Sequence, residues 1–381
     1  MMHDLIKLRH TLHKYPEISN NEFQTSERIS AFIAQFNADE IIKLSKTGLA
    51  FVFNGKSPGK TLIFRAELDA LQIREENNLP YSSVNEGVAH LCGHDGHMAI
   101  LAGFGQLVSA NRPQKGRVIL LFQPAEEIEQ GARDVVEDPA FKSIQPDYIF
   151  ALHNIPGFEK NTIIIKEGTF ASASKGLTIK LKGKTSHAGE PESGINPANA
   201  ISRIIQDVNM LSNDKSLFND LVLSTFINIK LGEVAFGTSP GYGEVRLTLR
   251  SYENSDMKLL GDSIIEIVSK ICSEESLGYE YEYSEDFPAT VNDRECFGII
   301  KKAASENGLR TVTIDKPFRW SEDFAYYTNK YRGGFFGLGS GLSQPKLHNP
   351  DYDFPDEIIQ TGIKMFYQIY IEILEQQKTD N

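Results

Sequence analysis

The stretch 89-AHLCGHDGHMAI-100 gathers His90, Cys92, His94 and His97 around Asp95 within eight residues, in a chain holding nine histidines and three cysteines. Imidazole, thiolate and carboxylate ligate metals, move protons and attack carbonyl carbons. Four chemistries fit such a cluster: a redox site, a structural zinc clip, a cysteine nucleophile, or part of a catalytic metal centre. Closed zinc sites draw several cysteines from short spacings. Only Cys92 lies here, and Cys272 and Cys296 stand far off, with no CxxC pair among the three.

Other polar residues follow apolar runs elsewhere in the chain. Glu126 and Glu127 come after RVILLFQPA, His153 ends DYIFALH, and His348 sits in KLHNP after GGFFGLG. In open α/β sheets, ligands bind beyond the carboxyl ends of the strands, where loops and helix N-termini converge. Each residue alone has a plainer reading, a hydrogen-bonded histidine or a solvated acidic helix start. Their joint occurrence at strand ends points to a metal centre. One thiolate, three imidazoles and a carboxylate are too many donors for one tetrahedral ion, whereas two ions sharing a bridging group accommodate them and leave room for water. Of two adjacent carboxylates, one can bind metal while its neighbour takes a proton from water. A Cys92 nucleophile, with His94 or His153 as base, is the alternative, and it excludes a metal-bound thiolate. In 183-GKTSHAGEPESGINPANAI-201, His187 is either a surface histidine or an oxyanion donor reaching a site from a lid or partner subunit.

The elements that must position these residues are legible as periodicities. Leu5, Leu8 and Leu12 recur at helical spacing, and a second helix follows Asn20 and Asn21. LAFVFN, the turn GKSPGK and TLIFRAEL read as a hairpin; MAILAGFGQLV reads as a buried helix beginning near His97; RVILLFQ and DYIFALH read as buried strands. Continuous apolar strands alternating with helices predict a largely parallel sheet covered on both faces. From about Lys175 the order becomes strand, helix, strand, strand, helix, strand: GLTIKLKG, NPANAISRIIQDVNML, LVLSTFINIKL, EVRLTLRSY, SDMKLLGDSIIEIVSKI and GYEYEYSE. That is the ferredoxin-like pattern. The expected organisation is thus an α/β catalytic domain over residues 1–174 and 287–381, interrupted by a second, α+β domain over 175–286.

Composition bounds the partners. The 381 residues are 40% hydrophobic and 24% charged, with a formal net charge of −12, which argues against nucleic acid and anionic membrane and for a small-molecule or peptide substrate. The odd, scattered cysteines predict no disulfide framework. The N-terminal MMHDLIKLRHTLHKYPE lacks an uninterrupted apolar segment, so cytoplasm is the expected location.

LRHTLHKYPEIS, FRAELDAL, HLCGHDGHMA, FQPAEE with Gly131-Ala132, ALHN, GKTSHAGEP, SEDF and LHNPDYDF together resemble the M20 metallopeptidases, specifically the amidohydrolase branch with aminoacylase-like, hippurate and indole-acetyl-amino-acid hydrolases. The resemblance spans nearly the whole chain. It implies a dinuclear centre of divalent ions (zinc, manganese, cobalt or nickel) on Cys92, His94, Glu127, His153 and His348, with Glu126 as general base and later acid. It implies that Asp69 orients a ligand, that His187 holds the oxyanion, often from the opposite subunit, and that the inserted domain is a lid or dimerisation domain of a homodimer or higher homo-oligomer. The substrate class implied is an N-acyl amino acid or similar small amide, with a dipeptidase or carboxypeptidase as the alternative. Two departures stand out. Glu67 replaces an aspartate of the usual RADMDAL, and FGTSPGYGE replaces a segment like FNVIPDSAE, leaving Gly237 where relatives carry asparagine, with Tyr242 nearby to substitute; Arg250 matches a common arginine.

Overall fold

The computed structural model describes residues 2–375. The chain divides into two compact units: the first takes the described residues up to Phe170, Thr290–Lys316 and those from Asp323 onward, the second Ala171–Ala289 and Pro317–Glu322.

The first unit is built on an eight-stranded sheet whose order is Glu40–Leu44, Gly48–Asn54, Lys115–Gln123, Ser57–Glu67, Tyr148–Pro156, Arg332–Gly341, Ile163–Ile165 and Thr311–Thr313. The four central strands, Lys115–Gln123 through Arg332–Gly341, are parallel neighbours. Antiparallel pairing enters at the flanks, where Gly48–Asn54 and Ile163–Ile165 join. Tyr148–Pro156 is buried at every position, as a central strand covered on both faces must be. Helix His94–Ala110 packs between helices Met2–Lys14 and Ile359–Tyr370. Below it, Phe64 meets Phe104, Phe150 and Phe366 with ring centroids 4.5, 5.8 and 5.0 Å away. A Phe64→Ala change would cost about 3–5 kcal/mol through lost burial and the cavity left behind.

The expected hairpin does not form. LAFVFN and TLIFRAEL lie on opposite sides of Lys115–Gln123, the former antiparallel to it and the latter parallel. The linking loop crosses the start of that strand by close backbone approach: Gly55 N–H donates to the Gly116 carbonyl at 2.8 Å, and a Cβ on Gly59 would stand 2.7 Å from the Gly116 nitrogen. Glycines that read as a tight turn in the sequence serve a crossover instead. The antiparallel neighbour of LAFVFN on its other side is Glu40–Leu44, a strand too polar to have been marked by apolar periodicity.

The second unit carries a four-stranded antiparallel sheet in the order Val222–Leu231, Tyr242–Ser251, Ala173–Lys182, Gly278–Phe287. Numbered along the chain this is 2-3-1-4, the strand order of the ferredoxin-like pattern. Leu177, Ile179 and Leu181 point inward while Thr178 and Lys180 are partly exposed, the alternation of a sheet covered on one face. Helices Ala198–Asn213 and Asn254–Glu274 pack on that sheet. Arg250 donates to the Arg319 carbonyl at 2.7 Å and the Ser321 hydroxyl at 3.1 Å, tying the returning 317–322 segment to the same unit. No helix among the described residues is long and apolar enough to cross a membrane.

Candidate metal centre

Glu126, Glu127 and His348 are delivered by short irregular segments, and Cys92 by the turn before a helix, whereas His153 does not end its strand as expected but lies inside it, three residues before Pro156. The helix starts at His94 rather than near His97, so His94 and Asp95 occupy its first turn. It opens at Gly93, whose φ of +95° and closeness to Asn154 (2.4 Å from a built Cβ to Oδ1) leave no room for a side chain. After strand Lys115–Gln123, Pro124 ends the ladder and Ala125 takes a left-handed φ of +53°, turning Glu126 and Glu127 into a tight turn and not a helix start. Helix Gly131–Glu137 begins only after that turn. Buried Glu22 holds the strained residue: its Oε1 accepts from the Ala125 N–H at 2.8 Å, and its Oε2 accepts from the Thr47 hydroxyl at 2.7 Å. Gly131 closes the turn under the Pro124 carbonyl, which a Cβ there would approach to 1.6 Å. His348, at φ +66°, is stitched to the cysteine segment by its N–H donating to the Leu91 carbonyl at 2.9 Å.

The result is a convergence of donors. Cys92, His94 and His153 form one three-donor group; Cys92, Glu127 and His348 form a second; His94, Glu126 and Glu127 form a third, with all ligand atoms in a group within 4.8 Å of one another. Cys92 Sγ lies 3.4 Å from His153 Nε2, His94 Nε2 lies 3.8 Å from both the Glu126 and the Glu127 carboxylates, and His348 Nε2 lies 3.6 Å from Glu127. His94, Glu126 and His153 are buried, while His348 is half exposed at the rim. Asp69 braces the group: its Oδ2 accepts from the Glu127 N–H at 2.9 Å and the Ser19 hydroxyl at 2.7 Å, and its backbone carbonyl accepts from His94 Nδ1–H at 2.9 Å.

Electrostatics favour a cation in this space. Burial alone would strip the proton from His94, but Glu67, Asp69 and Glu127 outweigh it and push the imidazole up to about 10. Burial, reinforced by the carboxylates of Glu127, Glu126 and Glu67, holds the Cys92 thiol well above its usual range. Burial, with the charges of His97 and His94, pushes His153 well down. His94 Nε2 is enclosed, with no hydrogen-bond partner among the described residues. A buried nitrogen facing two carboxylates at 3.8 Å is too far for hydrogen bonding and well placed for an intervening positive ion. The residues present therefore fit a pair of divalent ions.

His187 belongs to the second unit. It is exposed in the two-residue strand Ser186–His187, which pairs with Thr238–Ser239. Its Nδ1 accepts from the Gly189 N–H at 3.0 Å, which leaves Nε2 as the ring's donor. Nothing lies within 4 Å of a Cβ built on Gly237, and the Tyr242 hydroxyl is committed to Glu244 at 2.9 Å. Glu67 is buried, paired with Arg65, and accepts from His97 Nδ1 at 2.7 Å. Sequence reasoning assigned no part to His97, Asn154, Glu22 or Ser19. His97 and Asn154 fall in the same short stretches as expected ligands, which was the one available signal; Ser19 and Glu22 carry none.

Residues 63–372 match the pattern of peptidase family M20/M25/M40. The N-acetylcysteine deacetylase of Bacillus subtilis (strain 168) is 30% identical over 378 residues, 97% of each chain. The hippurate hydrolase of Campylobacter jejuni is 28% identical over 373 residues, covering 97% of this chain and 96% of its own. Among solved structures, the Bacillus subtilis YXEP protein, described as a dinuclear metal binding peptidase from the M20 family, superposes with a TM-score of 0.85 at 27% identity over 98% of both chains.

Proposed function

The chain belongs to peptidase family M20/M25/M40 and is a hydrolase of amide bonds, and from that premise we propose that it cleaves N-acyl amino acids or similar small amides with two divalent ions held by Cys92, His94, Glu127, His153 and His348. The observation that carries this reading is the sharing of Cys92 by two three-donor groups, with Glu126 alongside. Bound ions supply Lewis acidity and a water acidic enough to attack at neutral pH. Glu126 takes the proton from the attacking water and returns it to the departing amine. Asp69 fixes the tautomer of His94 and the backbone of Glu127, keeping the ligand free to lie beside the base. His187, with Nε2 left as its donor, donates to the oxyanion, and in this reading does so from a partner subunit.

The cysteine-nucleophile alternative is weakened by burial together with the neighbouring charges: the Cys92 thiol is pushed up while His153 is pushed down, which makes proton transfer between them uphill, and His94, pushed up to about 10, is a poor proton acceptor at neutral pH. A homodimer through the second unit is part of the proposal, supported by its edge strand Val222–Leu231, where Ile227, Ile229 and Leu231 are exposed. Cytoplasmic residence suits the three buried thiols, which are free of disulfides.

The test is a hydrolysis panel of N-acetyl, N-benzoyl and indole-acetyl amino acids alongside free dipeptides, each with zinc, manganese, cobalt and nickel. Release of amino acid from the acylated set, silenced by chelator and restored by metal, is the expected result. Turnover of free dipeptides alone would move the assignment to a dipeptidase, and chelator-resistant turnover would end the metal-dependent reading.

A further inference from the structure

His97 lies outside the five proposed donors, yet it sits at the junction of the segments that carry them. Its ring is buried, and Glu67, bound to Arg65, is an ionised acceptor, so Nδ1 must be the donor across their 2.7 Å contact. At the other edge of the ring, Nε2 faces Asn154, whose side-chain oxygen lies 2.6 Å away and whose backbone nitrogen lies 3.2 Å away. Asn154 in turn touches three ligand-bearing segments. Its carbonyl accepts from Nδ1 of His153, the next residue back, at 2.9 Å. Its side-chain amide fills the space over Gly93, between Cys92 and His94. Its Nδ2 donates at 2.5 Å to the hydroxyl of Tyr352, whose own N–H is held by the Asn349 carbonyl in the loop of His348. Arg65 is itself anchored to buried Asp323, so this chain of contacts ends on a fixed point.

We infer that His97 is a positioning residue which, by bridging Glu67 and Asn154, sets the orientation of His153 and the spacing between His153 and the Cys92–His94 turn, and through them the affinity of one ion of the pair. The inference rests on the metal-dependent reading proposed above. Packing alone does not account for the arrangement, because both ring nitrogens of this buried side chain are engaged by polar groups. A residue placed there only to fill volume would leave Glu67 and the Asn154 N–H without those contacts.

The experiment compares the full-length wild type with His97→Leu, His97→Gln and Asn154→Ala, each titrated with Co²⁺ and followed by the visible absorption of the bound ion. Wild type is expected to take two equivalents. His97→Leu, which fills the space without bridging, should bind one of them about 10- to 100-fold more weakly, with a changed cobalt spectrum. His97→Gln, whose amide can donate to Glu67 and accept from the Asn154 N–H, should recover most of the affinity. Asn154→Ala removes the far end of the bridge with His97 in place and should weaken the same equivalent, so the question stays answerable if His97→Leu does not fold. Equal affinity in the Leu and Gln variants, or two wild-type equivalents in Asn154→Ala, would overturn the positioning role. A wild type that binds no divalent ion would instead remove the metal-dependent reading itself.

Discussion

Glu126 and Glu127 stand in nearly equivalent places, each with a carboxylate oxygen 3.8 Å from His94 Nε2, so distance alone does not tell base from ligand. Their surroundings differ in a way that supports the proposed division. Glu127 has its backbone clamped by Asp69 and joins Cys92 and His348 in a donor group from which Glu126 is absent. Replacing either by glutamine removes one negative charge from beside the proposed ions; for charges about 4 Å apart at an intermediate effective dielectric that is roughly 4 kcal/mol, or about 10³-fold in affinity, per unit of ionic charge. That penalty is common to both variants and is overcome by raising the metal concentration. Loss of the base is not. Glu126→Gln should therefore bind both ions at saturating metal and still turn over about 10²- to 10⁴-fold more slowly, ~3–5 kcal/mol in the barrier. Glu127→Gln should lose metal first and regain turnover as metal is added. The assay is kcat as a function of added zinc or manganese, with bound metal measured by elemental analysis. Recovery of Glu126→Gln with metal, or wild-type kcat in that variant at any metal concentration, refutes the division of labour.

Other consequences can be checked independently. Gly131→Ala forces a Cβ to within 1.6 Å of the Pro124 carbonyl, so the turn carrying both glutamates must shift; the variant should lose metal and several degrees of melting temperature together, and normal metal content would mean the turn is not held as described. His13, hydrogen-bonded to Asp95 at 2.9 Å and Glu75 at 3.2 Å, is held up at about 9 despite a burial that opposes protonation, above its ordinary 6.5. Because the folded value is the higher one, its stabilisation, on the order of 3 kcal/mol, is complete below about pH 6.5 and is lost as pH rises through about 9. Unfolding of wild type and His13→Gln should converge toward high pH, and a pH-independent gap between them would contradict this. Mixing inactive His187→Ala chains with inactive Glu126→Gln chains should restore one working site per mixed dimer; absence of recovery would take His187 out of the partner's site.

What the sequence disclosed and what it withheld follow from the range of the contacts. Apolar runs mark strands wherever both faces are covered, so RVILLFQ, DYIFALH and GGFFGLG were recoverable, as were the alternations of the second unit. Donor-rich strand ends were recoverable for the same reason, and Cys92, His94, Glu126, Glu127, His153 and His348 do lie together. The neighbour relation of strands is not written in either one alone: GKSPGK has the composition of a turn, and only the presence of Gly116 beneath it distinguishes a crossover. Likewise, Glu22 supporting Ala125 and His97 supporting Asn154 join residues far apart in the chain, and no local pattern announces such pairs.

The parallel pairing of Tyr148–Pro156 with Arg332–Gly341 has a consequence for biosynthesis. On the ribosome, the strand bearing His153 emerges long before its neighbour is translated, and the whole of Ala171–Ala289 is made in between. The nascent protein must therefore keep a central strand without its lateral partner while the intervening unit matures. The rim histidine arrives later still, so in the proposed reading a product terminated early is not a weak hydrolase but one that lacks a donor, and a prematurely closed sheet would shut out the strand that leads to it.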